Sequence, residues 1–66
     1  MAALKQYQIV EMAKDFNPVI KMGMRGIILE PMDEHTFIVE FVTENGKNIA
    51  YNDEYIFIMT TADIKI

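Results

Sequence analysis

Alternating hydrophobic and polar positions along the chain predict a series of short β-strands. The clearest signal is TFIVEFVT (36–43), in which aromatic and β-branched residues recur with the two-residue period of a strand. Asn45 and Gly46 follow it, and these residue types tolerate the positive φ that a type I′ turn requires. We therefore expect KNIAY (47–51) to return as the second strand of a hairpin.

Three further apolar runs predict additional strands. RGIILE (25–30) contains consecutive large aliphatic residues and ends at Pro31, which makes a turn together with the polar MDEH that follows. EYIFIMTT (54–61) is rich in β-branched and aromatic residues, and ADIKI (62–66) alternates again, with a single helical turn predicted at Ala62-Asp63 between two short strands.

The first third of the chain is less decided by its sequence. Residues 3–13 contain good helix formers together with tyrosine, isoleucine and valine, so that propensity alone leaves both strand and helix open. The next segment, KDFNPVIKMG (14–23), reads as a loop because a residue before proline avoids the helical region. Gly23 closes this loop.

Two glycines three residues apart, Gly23 and Gly26, stand before the aliphatic run and raise the alternative of a phosphate-binding loop. Such a loop would need more glycine, a lysine with serine or threonine, and a following helix. The sequence instead continues into a strand, so we expect the glycines to turn and bend the backbone. Arg25 between them is expected to be a solvated cation.

Four or five short strands with tight turns and one long early loop predict an all-β fold, a small five-stranded antiparallel barrel whose closure hides the strand edges. Because the chain has 66 residues, residues 1–66 are expected to share one small core. There is no cysteine, which excludes disulfides and thiolate zinc sites and favours a reducing, cytoplasmic location. No apolar run approaches the length of a membrane span, and no signal peptide is predicted.

GMRGIILE followed by FIVEFVTENGK resembles a family of short bacterial proteins classed as a domain of unknown function. The shared pattern consists of Gly23, Gly26, Ile28, Val39, Glu40, Phe41 and Gly46. The same stretch looks like the glycine-containing strand of the KOW motif and of small barrels of the Src-homology-three type. The resemblance implies a first strand over residues 6–12 and a fold of that type, but it implies no activity.

Catalytic and metal-binding chemistry is poorly represented. The chain has no serine or cysteine, so the usual acyl-transfer nucleophile is missing. His35 has only Asp33 and Glu34 beside it, which is too few ligands for a metal. Glu30 and Glu40 fall on neighbouring predicted strands, but Glu40 is expected to point outward, and a barrel this small is expected to lack a deep cleft. We therefore predict no enzyme, no catalytic residue, no cofactor and no metal.

Ten acidic against six basic residues give a net charge of −4, which opposes binding to a phosphate backbone. A KOW-like nucleic-acid accessory role, carried by Lys21, Arg25 and Lys47, is therefore the disfavoured alternative. A third alternative, a small inhibitor of a host or phage defence enzyme, fits small acidic proteins and is a special case of binding another protein. The six methionines suit either core filling or an adaptable binding surface.

The leading hypothesis is a non-enzymatic bacterial or phage protein-interaction module, which binds another protein or associates with itself. Aromatic residues next to loops supply the candidate partner-binding residues Phe16, Tyr51 and Tyr55, whereas Phe37 or Phe41 and Phe57 are expected in the core. In the Src-homology-three resemblance, the loop holding Phe16 flanks a peptide groove. Polyproline binding is disfavoured because the chain has no tryptophan.

Overall fold

Five strands and one 3₁₀ turn form the protein in a computed structural model that describes residues 4–65. The strands are β1 (Ile9–Met12), β2 (Arg25–Pro31), β3 (Thr36–Phe41), β4 (Ile56–Thr60) and β5 (Ile64–Lys65), and the 3₁₀ turn is Thr61–Asp63. They lie in the order β4-β3-β2-β1-β5, and all neighbours are antiparallel. The predicted all-β fold of five antiparallel strands is confirmed, as a curled half-barrel consistent with the small Src-homology-three type; residues 1–3 and 66 of the expected 1–66 domain lie outside the described residues.

The barrel is half open. Within residues 4–65 no ladder joins β4 to β5, so each of these strands forms an edge of the curled sheet. The edges that closure was expected to hide are therefore present. This matters for function because an edge strand presents unpaired backbone groups to its surroundings.

The inner face of the sheet carries the core, which consists of Val10, Met12, Ile20, Ile28, Phe37, Val39, Phe41, Phe57, Met59 and Ile64. Strand residues alternate between this buried face and the outer face, as the two-residue period requires. The core positions expected for Phe37, Phe41 and Phe57 are confirmed. Residues 9–12 are a strand, so the strand implied by the resemblance is found, but it is shorter than 6–12.

The hairpin predicted at Asn45-Gly46 differs from the observed structure. The chain does reverse there, because Gly46 donates to the Thr43 carbonyl and Thr43 donates to the Lys47 carbonyl. Only Gly46 has positive φ (80°), however, so the turn is not of type I′, which needs positive φ at both central residues. Residues 47–51 return with isolated contacts only and β4, not KNIAY, is the strand partner of β3.

Gly23 and Gly26 play different parts, and neither starts a helix. Gly23 has φ +90° and turns the chain into β2. Gly26 lies inside β2, where an added Cβ would stand 2.6 Å from Val39 Cγ1 and 2.7 Å from Phe41 Cε1. The expected turn into a strand is confirmed, with the correction that Gly26 is needed for close packing within the strand.

Candidate functional site

The loop between β1 and β2 folds back onto the core and holds Phe16 at its surface. Asn17 Oδ1 accepts hydrogen bonds from the N–H groups of Val19 (2.8 Å) and Ile20 (2.7 Å). The N–H of Phe16 in turn donates to the Ile20 carbonyl at 2.8 Å. Ile20 is fully buried and anchors the loop, whereas Phe16 remains 36% exposed.

A tight turn at Tyr51–Glu54 positions Tyr55 at the start of β4. Tyr51 and Glu54 exchange two backbone hydrogen bonds of 3.0 Å, while Asn52 and Asp53 have φ of 52° and 64°. Positive φ at both central residues is the signature of a type I′ turn, which this chain forms here. Tyr55 is left 53% exposed beside the turn.

Phe16 and Tyr55 line one open groove of ≈ 640 Å³, together with Asp53, Glu54, Ile56, Phe57 and Ile58. Phe57 points to the inner face of β4 and Ile56 and Ile58 to the outer face, so that a groove lined by all three must follow the strand edge. The far wall is Phe16, whose ring meets Phe57 edge to face at 6.1 Å between centroids. A depression of several hundred Å³ was not expected for so small a barrel, although it is an open groove and not an enclosed cleft.

The structure brings together two of the three predicted partner-binding residues. Tyr51 is the exception, because it is half-buried and packs against the core instead of lining the groove. Its part in the site is indirect, since it begins the turn that places Tyr55. Loop adjacency in the sequence identified all three residues but gave no information on which of them the core would bury.

The outer face of β4 adds exposed aliphatic residues that sequence reasoning did not assign to a site. Ile56 is 48% and Ile58 is 58% exposed. The signal was present in YIFIM (55–59), where no position is polar. A strand with apolar residues on both faces is expected inside a sheet, so its exposure at an edge depends on topology that the local pattern does not show.

The groove is acidic at the end where β4 begins. The ion pairs found among residues 4–65 join Lys14 to Asp63, Lys21 to Asp15 and Lys65 to Glu11, at 3.5, 3.8 and 3.4 Å. Neither Asp53 nor Glu54 takes part in any of them. Residues 51–64 contain no lysine or arginine, and of the carboxylates of this segment only Asp63 is paired within the described residues, with Lys14.

The remaining candidate residues lie away from the groove or apart from one another. His35 is exposed in the β2–β3 turn, and within residues 4–65 no three metal-binding side chains of histidine, cysteine, aspartate or glutamate come together. Glu40 stands opposite Ile27 and Glu30 opposite Ile38, so these two carboxylates do not face each other. Of the three basic residues considered for nucleic acid, Lys21 is held by Asp15 at 3.8 Å.

Comparisons with protein-family models, with curated proteins and with solved structures found no significant match. The relation to the family of short bacterial proteins therefore stays a prediction. In the part of the chain that the structure describes, no helix has both the length and the apolar character needed to cross a bilayer.

Proposed function

We propose that this protein is a non-enzymatic interaction module that binds another protein through the groove along β4. The observation that carries the proposal is the row of exposed apolar side chains along an edge strand, Tyr55 before it and Ile56 and Ile58 on it, which line one groove together with Phe16. Large apolar side chains grouped beside a groove characterise surfaces that become buried in a complex. Aromatic residues at such a site supply much of the binding free energy.

The experiment is affinity capture of proteins from a cell lysate on the immobilised chain. The wild type is compared with matched variants. Tyr55→Ala removes the exposed ring from the groove, and Tyr7→Ala removes a tyrosine that is at least as exposed but lies before β1. We expect the same proteins to be enriched by the wild type and by Tyr7→Ala, and depleted by about tenfold with Tyr55→Ala. Circular dichroism verifies that both variants fold.

Two results would overturn the proposed function. One is the absence of any reproducibly enriched protein, and the other is equal enrichment by all three chains. Tyr51 is unsuitable as a test residue, because its ring packs against the core and its removal would disturb the fold together with any surface.

A further inference from the structure

One side of β4 pairs with β3 and the other side is an edge. A single hydrogen bond, from Thr60 to Asp63, shows which β4 residues point their backbone groups toward that edge. The Thr60 N–H donates to Asp63 Oδ2 at 2.9 Å, so it points away from β3 although Thr60 stands opposite Thr36 in the ladder. In an antiparallel pair, successive residues point their backbone groups alternately toward the partner and away from it. Ile56 and Ile58 therefore direct their N–H and C=O groups outward as well.

These outward groups open onto the groove. Ile56 and Ile58 both line it, and among residues 4–65 no loop or side chain is hydrogen-bonded to their N–H groups outside the strand ladder. Residues two apart on one strand edge present N–H and C=O groups at the spacing of another strand. An extended chain seated there continues the sheet beyond β4.

The two sheet edges are protected very differently. β5 has only two residues, and its Lys65 lies 3.4 Å from Glu11. β4 has five residues and contains none of the lysine, proline or bulge by which proteins usually block an edge, although Asp63 occupies the outward N–H of Thr60. An apolar edge with two free outward residues, Ile56 and Ile58, can accept a further strand.

The carboxylates beside β4 indicate which kind of strand can pair with its edge. A second copy of this chain paired along β4 would bring together two 51–64 segments that contain no lysine or arginine, each with Asp53 and Glu54 unpaired among the described residues and with Asp63 paired to Lys14 at 3.5 Å. Like charges opposite each other in a sheet are destabilising. A strand flanked by lysine or arginine would instead place its cations beside Asp53 and Glu54, which have no ion-pair partner within residues 4–65.

We propose that the β4 edge, walled by Phe16, binds an extended apolar peptide with basic flanks by strand addition. The proposal rests on the proposed function and specifies the partner as a protein segment of this chemistry. Main-chain hydrogen bonds to Ile56 and Ile58 supply part of the affinity. Alternate side chains of the peptide contact Phe16 and Tyr55 on one side and the outer isoleucines on the other.

The test uses a fluorescent synthetic peptide of alternating valine and threonine with a pair of lysines at each end. One control peptide carries glutamates in place of the lysines, and another is N-methylated at alternate valines and alternate threonines, which removes hydrogen-bond donors from both edges of the peptide without changing the side chains. Affinity is read by fluorescence anisotropy, and the binding position by backbone amide shifts in NMR. We expect the lysine peptide to shift the amides of 56–60 and to bind about tenfold more tightly than either control peptide.

Variants of the protein make the test specific to the edge. Ile58→Lys adds a charge on β4, and Ile9→Lys makes the same change at a residue of similar exposure on β1, a strand paired on both sides. Binding should be lost about tenfold with Ile58→Lys but retained with Ile9→Lys. Asp53→Asn with Glu54→Gln should weaken binding and flatten its dependence on salt.

The inference is overturned if the N-methylated or the glutamate peptide binds as tightly as the lysine peptide, or if the amide shifts fall away from β4. A dimer of the chain through β4 in ultracentrifugation at pH 7, where the carboxylates are charged, would also overturn it. Capture that depends on Tyr55 without peptide binding leaves the protein-binding function standing and rejects only strand addition. Failure of capture rejects the function itself.

Discussion

At the scale of single residues, Gly26 is the glycine at which the fold has no room for a side chain. A methyl group there would meet the Val39 side chain at 2.6 Å and the ring of Phe41 at 2.7 Å, both in the buried core. Gly26→Ala is therefore expected to lower the free energy of unfolding by about 1–3 kcal/mol through overpacking. Urea denaturation of the wild type and the variant measures this difference.

Gly23→Ala is the control for Gly26→Ala, because the stability that it loses comes from backbone strain and not from crowding of the core. No heavy atom lies within 4 Å of a Cβ at Gly23, but its φ of +90° is unfavourable for a side chain and costs about 1–2 kcal/mol. Phe41→Leu should partly offset Gly26→Ala in a double-mutant cycle and leave the effect of Gly23→Ala unchanged. Equal coupling of both glycines to Phe41 would contradict the packing explanation.

Asp33 gives the β2–β3 turn a dependence on pH. The backbone N–H of His35, and then that of Thr36, hold the pKa of the Asp33 carboxyl below its ordinary value of 3.8. A lowered folded-state pKa means that the carboxylate stabilises the turn above the unfolded pKa and loses this effect as pH falls through the folded pKa. Asp33→Asn should therefore make the unfolding midpoint less sensitive to pH below about 4. Parallel curves for the two proteins would contradict this assignment.

At the scale of elements, the β1–β2 loop behaves as part of the core. Ile20 is fully buried and is held by the Asn17 side chain, whereas its neighbour Val19 is exposed. Ile20→Ala should lower the free energy of unfolding by about 2–5 kcal/mol, as for any core isoleucine. Val19→Ala should change it by less than about 0.5 kcal/mol. Similar losses for both variants in denaturant titrations would show that the loop does not anchor through Ile20.

The elements also show where sequence reasoning succeeds and where it stops. The period of 36–41 fixed β3 and its buried face, because alternation is a local property. Turn chemistry placed a type I′ turn at Asn45-Gly46, yet the chain forms it at Asn52-Asp53. Asparagine and aspartate tolerate positive φ at either place, so the choice depends on how β4 pairs with β3, which is tertiary information.

The candidate site divides in the same way. Phe16 and Tyr55 were predictable as aromatic residues next to loops, and the structure places both on the groove. The burial of Tyr51 and the exposure of Ile58 could not be predicted, because each depends on which strand becomes the sheet edge. A local pattern does not distinguish an edge strand from a central one.

At the scale of the whole molecule, the negative net charge opposes the pairing of two copies through the exposed β4 edge. Each chain carries −4 at pH 7, and three of its carboxylates lie next to β4. Repulsion between such edges opposes the pairing of two copies, while the apolar surface of β4 favours it. We expect the balance to shift toward pairing as pH falls, because repulsion fades as the carboxylates gain protons.

Self-association through β4 should therefore appear near the isoelectric point, at about pH 4.7, and be absent at pH 7. Ile58→Lys should suppress it, because a charged residue on an edge strand blocks strand pairing. Ile9→Lys changes the net charge equally at a strand that has neighbours on both sides, so it should associate near its own isoelectric point much as the wild type does. Light scattering across the pH range, with each protein compared at its own isoelectric point, measures the difference. Equal suppression by both lysines would mean that net charge alone governs association, and association at pH 7 would mean that the acidic flanks do not protect the edge.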